Sequence, residues 1–375
     1  MKVEIHTLFE YLLDSTQANP DAMVGLSLAP SPALGEFLAD LDPNLSLDWN
    51  NRDFKGLPEL RARVLAQSGL ADTCVLDDVL ITAGAAEANY LAVMQLLEPG
   101  DEVVSETPGW PQIEVLAKAK GVRLRSIARE ERAQWVLPME RLSEAVNDRT
   151  RLIFLTNPNN PTGRVFSTDD LKDIVRIARR VGAWVLVDEV YAGLEWSCPR
   201  APSIAGLYER GITTGSVSKA LGLQGLRTGW LVCRNPGLIR DAVILRENSS
   251  EITNILGEVI AEIALRPDRL EASISKTRAQ AQANLARLDR FIGDSVLTWV
   301  PPDAGLIGLA RLPDGLDSDT FARRLLKPPY KTFILPGSAY HQPHHIRVGV
   351  GGAPDKLDIG LTRIAQALKD LSYES

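Results

Sequence analysis

Hydrophobic and polar positions change their period along the chain. Near the start, Leu8, Phe9, Leu12 and Leu13 recur at spacings of three and four, which predicts a short helix lying against another surface. A proline-spaced segment, LAPSPALGEF, follows, and GLPELRARVLAQSGL then reads as a helix with Gly69 near its end. From about residue 78 short apolar runs alternate with helical stretches. DVLITAG, DEVVSE, RLIFLTN, AWVLVDEV and ITTGSVS read as strands, AAEANYLAVMQLL and STDDLKDIVRIARRVG as helices. Strands this apolar, split by helices, predict an α/β fold on a mainly parallel sheet buried on both faces. Beyond residue 250 a helical stretch from Glu258 to Gly293 precedes strand-like and turn-like pieces, HHIRVGVGG and a final amphipathic helix. The expected organisation is an N-terminal segment (1–44) that contributes to a small domain and covers the active site, a large α/β domain (45–250) and a small α+β domain (251–375).

Composition narrows the possibilities. The 375 residues are 45% hydrophobic and 24% charged, an ordinary globular balance. A net charge of −7 argues against a nucleic-acid partner, which needs a basic stripe. Cys74, Cys198 and Cys233 are scattered, with no CxxC spacing, as suits a reducing compartment. The first twenty residues carry charges throughout, and no apolar run approaches the length of a membrane span. The expected location is the cytoplasm, with no membrane partner.

In open parallel sheets ligands collect outside the carboxyl ends of the strands, so the polar residues there carry the chemical question. After DVLITAG a helix opens at Gly84, Ala85 and Ala86, where bare N–H groups favour an anion such as phosphate; an ordinary tight turn explains the small residues equally. NPNNPTG, residues 157–163, is a stiff loop from which Asn160 can reach into the cleft. Asp188 ends a run of five apolar residues. It is either a helix cap or a partly desolvated acid that holds a cation or a protonated ring nitrogen, with Tyr191 three residues on able to bond the same ligand. SVSKALGLQGLRTGW then places Lys219 after Ser216 and Ser218, with Arg227 eight residues further. An amine taken out of water near a second cation gives up its proton more readily and attacks an aldehyde. The two serines and the arginine supply donors for a phosphate.

A lysine nucleophile, a carboxylate for a pyridinium nitrogen and an anion cradle together describe a pyridoxal-phosphate site. Over nearly its whole length the chain resembles the class I/II aminotransferases of fold type I, in ITAGAAEA, ETPGWP, NPNNPTG, DEVYAGL, SVSKALGLQGLRTGW, ILPGSAY and HIRVGVGG. The resemblance implies a seven-stranded type of sheet between helices, the cofactor pyridoxal 5'-phosphate, amino-acid and oxo-acid substrates, and a homodimer. It implies that Lys219 bonds the cofactor covalently and shuttles a proton. Asp188 would keep the ring nitrogen protonated, and Tyr191 and Asn160 would bond the phenolic oxygen. Gly84, Ala85, Ala86, Ser216, Ser218 and Arg227 would grip the phosphate, Trp110 would stack on the ring, and Arg347 would pair with the substrate's α-carboxylate. Two positions depart from the family's pattern: Asn51 stands where a tyrosine is usual, and Ala29 or Pro30 where the substrate loop commonly has glycine. Both lie in the substrate's expected surroundings. A subgroup resembling capreomycidine synthase shares GLQGLRTGW and a non-tyrosine NRDFKG-type loop, so elimination, replacement or cyclisation of an amino acid, an arginine derivative for instance, stays open beside transamination. A ligand sensor without turnover is disfavoured by the intact Lys219, Asp188 and Arg347. His341, His344 and His345 are expected to shape the rim of the substrate pocket rather than hold a metal, because Pro343 breaks their spacing and no carboxylate accompanies them.

Overall fold

The five apolar runs lie in one sheet. The structure, a computed structural model, describes residues 3–48 and 52–374. Its strands begin with β1 (Ala22–Met23), β2 (Val79–Thr82), β3 (Glu102–Thr107) and β4 (Arg123–Ala128). They continue with β5 (Thr150–Thr156), β6 (Trp184–Asp188), β7 (Gly211–Ser216) and β8 (Gly229–Val232). Among the described residues seven of these form the large sheet in the order β2-β8-β7-β6-β5-β3-β4. β8 runs antiparallel to both its neighbours, and the other pairings are parallel. Two strands of this sheet, β4 and β8, lie outside the apolar runs. β4 is RLRSIA on the sheet's edge, largely exposed, so it never needed an apolar run. β8 is the short GWLV at the end of the Lys219 segment.

The helices of the first 293 residues begin with α1 (Thr7–Ala18), α2 (Pro58–Gln67), α3 (Ala85–Leu96), α4 (Gln112–Lys120) and α5 (Met139–Ala145). They are followed by α6 (Thr168–Arg179), α7 (Ile204–Leu207), α8 (Pro236–Glu247), α9 (Ile255–Ala264) and α10 (Pro267–Gly293). Alternate strand residues face opposite helical layers, as a period of two demands. Phe154 and Leu186 pack with Leu91, Ile113 and Leu238 of α3, α4 and α8. Ile153, Val185 and Val187 pack with Leu142, Leu171 and Ile174 of α5 and α6. α6 starts on a reciprocal cap, in which Ser167 Oγ accepts from Asp170 N at 3.1 Å and Asp170 Oδ2 accepts from Ser167 N at 2.8 Å.

The smaller part adds β9 (Thr298–Trp299), β10 (Ile307–Arg311), α11 (Ser318–Leu326), β11 (Thr332–Phe333), β12 (Leu335–Pro336), β13 (His345–Gly349) and α12 (Pro354–Glu374). Its antiparallel sheet has the order β12-β13-β10-β9. The long helical stretch breaks between α9 and α10, where Arg266 is extended ahead of Pro267. A proline disfavours helical geometry in the residue before it. α9 packs with the large sheet: Ile260, Ala261 and Ile263 join Leu60 and Val64 of α2 and Ile81 of β2. The chain start joins the smaller part. β1 pairs with β11, Tyr11 stacks on Phe333 at 5.6 Å between centroids, and its hydroxyl donates to Ala322 O at 3.2 Å. Of the four apolar positions that suggested α1, Leu8 is buried and Leu12 packs against the core, whereas Phe9 and Leu13 are 55% and 58% exposed.

Candidate active site

The carboxyl ends of β5, β6 and β7 open onto a cavity of about 210 Å³. Its walls include Ala85 and Ala86 from α3, Trp110, Asn160, Asp188, Tyr191, Ser216, Ser218, Lys219 and Arg227. Leu28, Thr156, Val190 and Gln224 complete the lining. A larger cleft, about 300 Å³ between residues 30–37 and α10, holds none of these groups, so chemistry rather than size selects the site.

One end is shaped for an anion. Gly84 stands at φ 85° where α3 begins, and no side chain caps that helix. A Cβ at Gly84 would lie 2.5 Å from Arg227 Nη2, so the guanidinium rests directly over the helix start. Arg227 itself adopts the left-handed region, at φ 52°. Its hydrogen bonds go only to neutral carbonyls, Gln224 O at 3.3 Å and Ala83 O at 3.4 Å. Ser216 Oγ accepts from Ser218 N at 3.3 Å. A helix dipole, a cation and two hydroxyls thus converge here; Glu87 in the first turn of α3 is turned out of the cavity, its Oε2 accepting from Ala83 N and its Oε1 from Ser250 Oγ, both at 2.6 Å.

The other end holds the reactive groups. Lys219 Nζ donates to Ser27 O at 3.2 Å and Ser27 Oγ at 3.1 Å, and stands 5.6 Å from the centroid of the Tyr191 ring. Asp188 is buried at the end of β6. Desolvation pushes its pKa up, against the pull of Asn89, the Val190 N–H and the charge of Lys219. Tyr191 Oη is buried with no partner. Arg347, in the middle of β13, is 5% exposed. Its Nη1 donates to Asn160 Oδ1 at 3.1 Å and to the Tyr340 hydroxyl at 2.5 Å, and its Nη2 to Gly25 O at 2.9 Å. Its Nε has no partner. Among the described residues no carboxylate forms an ion pair with it. Burial pushes the Tyr340 phenol up to about 12, so it stays protonated at neutral pH.

Residues 50–364 match the model of the class I and II aminotransferase family. The chain belongs to that family. It is similar to an aspartate aminotransferase of Musicola paradisiaca, 26% identical over 325 residues that cover 84% of this chain and 80% of the relative. It is also similar to the capreomycidine synthase of Streptomyces vinaceus, 28% identical over 292 residues, 77% of this chain and 74% of that one. Among solved structures, a PLP-dependent aminotransferase from Streptococcus suis superposes with a TM-score of 0.90 at 26% identity, covering 99% of both chains. This aminotransferase-family chain is therefore a pyridoxal-phosphate enzyme of fold type I. The cavity fits that cofactor. The unpartnered Tyr191 hydroxyl, the anion cradle of α3 and Arg227, and the buried Asp188, which has only neutral hydrogen-bond donors, would suit a phenolic oxygen, a phosphate and a pyridinium nitrogen in turn.

The fold brings most of the named residues together, with specific exceptions. Ala29 does not line the cavity. Leu28 lines both the cavity and a neighbouring cleft, whereas Ala29 lines only that cleft, with Val24, Leu26 and Gly349. Arg347 meets the cavity through Asn160. The three histidines scatter and none lines it. His341 Nε2 lies 2.8 Å from Glu114 Oε1, and His344 Nδ1 is 3.4 Å from Leu316 O. His345 is buried 3.2 Å from Glu131 Oε2 and edge-on to Trp135. They form no rim, and no cluster suited to a metal occurs among the described residues. Asn51 lies outside the described residues. On α1 and the residues before it, Glu4 and Asp14 pair with the chain's own Lys118 and Arg323. Ser27, Asn89, Gln224 and Tyr340 join the site beyond the residues named from the sequence. Gln224 sits inside the quoted Lys219 motif and was visible there. Tyr340 likewise ends the quoted ILPGSAY, whereas Ser27 and Asn89 are common residue types whose place depends on long-range packing.

Proposed function

We propose that the protein transfers the amino group of an L-amino acid to a 2-oxo acid. Bound pyridoxal phosphate supplies the electron sink for the carbanion at the substrate's Cα. Lys219 tethers the cofactor, and its amine, once free, moves the Cα proton. Asp188 holds the ring nitrogen protonated, and Tyr191 and Asn160 bond the phenolic oxygen. The start of α3, from Gly84 through Ala85 and Ala86, takes the phosphate with Ser216, Ser218 and Arg227, and Trp110 covers the ring. The observation that carries the substrate class is Arg347, a buried guanidinium with an unpartnered Nε and no counter-ion among the described residues. A buried cation without an anion is costly and a ligand that brings the anion offsets that cost, and an α-carboxylate has the planar shape a guanidinium fits.

A second reading is favoured by the capreomycidine synthase relative: the same carbanion expels a substituent, and a nucleophile adds or closes a ring, with an arginine derivative as a candidate substrate. Both readings take the working unit to be a homodimer in the cytoplasm. No helix among the described residues is long and apolar enough to cross a membrane.

The deciding experiment incubates the cofactor-loaded protein with each of the twenty amino acids and with arginine derivatives. Pyridoxamine phosphate plus an oxo acid supports transamination. Unchanged cofactor plus an unsaturated or cyclised product supports the second reading. No reaction with any of them removes both. A cofactor-loaded monomer in light scattering would remove the dimer.

A further inference from the structure

We propose that Asn89 is a positioning residue that keeps Asp188 ionised and aimed at the cofactor's ring nitrogen. The inference rests on the reading of Asp188 given above. Asn89 lies on the inner face of α3, fully buried. Its Nδ2 donates to Asp188 Oδ2 at 2.7 Å, and its Oδ1 accepts from Thr214 Oγ1 at 2.7 Å.

A side-chain amide can be turned end for end, and a threonine hydroxyl accommodates either orientation because it both donates and accepts. Thr214 therefore does not decide which end of Asn89 meets Asp188. Gln112 does. Its Nε2 donates to Ala86 O at 2.7 Å, and a carbonyl only accepts. Its Oε1 accepts from Trp110 Nε1 at 3.2 Å, and an indole nitrogen only donates. These two one-way groups fix Gln112 with its oxygen toward Asn89, which must answer with Nδ2, at 3.2 Å. The second hydrogen of that same Nδ2 then points at Asp188.

The consequence for the carboxylate is direct. A proton on Oδ2 would face the Asn89 N–H, and one on Oδ1 would compete with the Val190 N–H, which donates there at 3.2 Å. Both oxygens meet donors, so the ionised form is the one that fits, although burial alone favours the neutral acid. Lys219 is the cation whose charge also acts on Asp188. The adjacent Glu189 is turned away and accepts from Ser203 Oγ at 2.5 Å. The remaining lone pairs of Asp188 are left for the ring N–H.

The test uses Asn89→Leu, which is similar in size and donates nothing, loaded with nitrogen-15-labelled pyridoxal phosphate. The ring-nitrogen resonance reports protonation directly, which a merely structural role would not move. The wild-type protein is expected to show a protonated ring at neutral pH. Asn89→Leu should shift the resonance toward the unprotonated form and weaken cofactor binding by about tenfold or more, the loss of a hydrogen bond to a charged group. Should Asn89→Leu not fold, Gln112→Leu frees the amide to turn and should shift the resonance the same way by a smaller amount. A folded variant with a wild-type resonance and affinity overturns the proposal for Asn89 alone. A wild-type protein that binds the cofactor with a neutral ring nitrogen overturns the reading of Asp188 and this proposal with it.

Discussion

Two strand ends of the large sheet bury a carboxylate, and they treat it in opposite ways. Near the end of β3, Glu106 Oε2 accepts from Arg129 Nε at 2.8 Å and Nη2 at 2.6 Å, while its Oε1 takes Thr156 N and Oγ1, both at 2.8 Å. Arg129 gives its third nitrogen to Trp135 O at 2.6 Å and lies over the Phe166 ring. That pair is closed: charge balances charge and every polar atom is occupied. At the end of β6, Asp188 has only neutral hydrogen-bond donors, and the buried guanidinium at the cavity's far edge, Arg347, has only neutral acceptors. Burying an ion without a partner costs several kcal/mol. A fold that does so at both ends of one cavity leaves the balance to its ligands. A missing counter-charge alone does not mark chemistry, since Arg246 is buried among the carbonyls of Phe54, Ile81 and Glu251 away from the cavity; two such groups facing one cavity do.

The most severe way to break the open end is Lys219→Ala. Borohydride should then leave no cofactor adduct on the peptide, and turnover should be abolished; an adduct of normal yield would mean that another lysine carries the cofactor. Next in size is Arg129→Met, which strands Glu106 in the closed pair. Denaturant unfolding should register a loss of about 3–5 kcal/mol, with amino-acid affinity unchanged in the protein that folds. Arg347→Met should do the reverse. Amino-acid binding should weaken by about 2–5 kcal/mol, while unfolding stays level or moves up because a lone buried cation has gone. If Arg347→Met destabilised as Arg129→Met does, the distinction between the two ends would fail.

The smallest effect tests an exposed tie. Glu114 raises the pKa of His341 above 6.5 through their hydrogen bond, against partial desolvation. A folded value above the unfolded one stabilises fully at pH below 6.5 and is lost as pH rises through the raised value. The His341 side chain is 60% exposed, so solvent screening holds the gain to about 0.5 kcal/mol. Comparing His341→Gln with wild type by thermal unfolding should show the difference on the acid side only.

What the sequence revealed followed physical constraint. RLIFLTN and AWVLVDEV are apolar because their strands are covered on both faces, and that pattern reads in one dimension. RLRSIA at the edge has no such constraint and reads as nothing. Lys219, Asp188 and Arg227 stood out because short local patterns surround them. Asn89 resembles any polar residue in a helix, and its meaning depends on Gln112, Thr214 and Asp188, all distant along the chain. Leu28 and Ala29 show another limit: the sequence points to the loop that holds them, but not to which of the two reaches the cavity. His345 looked like part of a histidine-rich rim and instead lies buried beside Trp135, because its strand turns it toward the core.

The ribbon from Ala22 to Pro30 ties several of these groups to one stretch of chain. Gly25 O accepts from Arg347, Ser27 accepts from Lys219, and Leu28 lines the cavity. A Cβ at Gly25 would come within 2.7 Å of Leu335 N, so no larger residue fits there. For anyone redesigning substrate preference, the ribbon divides into parts to keep and parts to randomise. Libraries should hold Gly25 and Ser27 constant and diversify Leu28, where a new side chain enters the reaction chamber without unseating either cation.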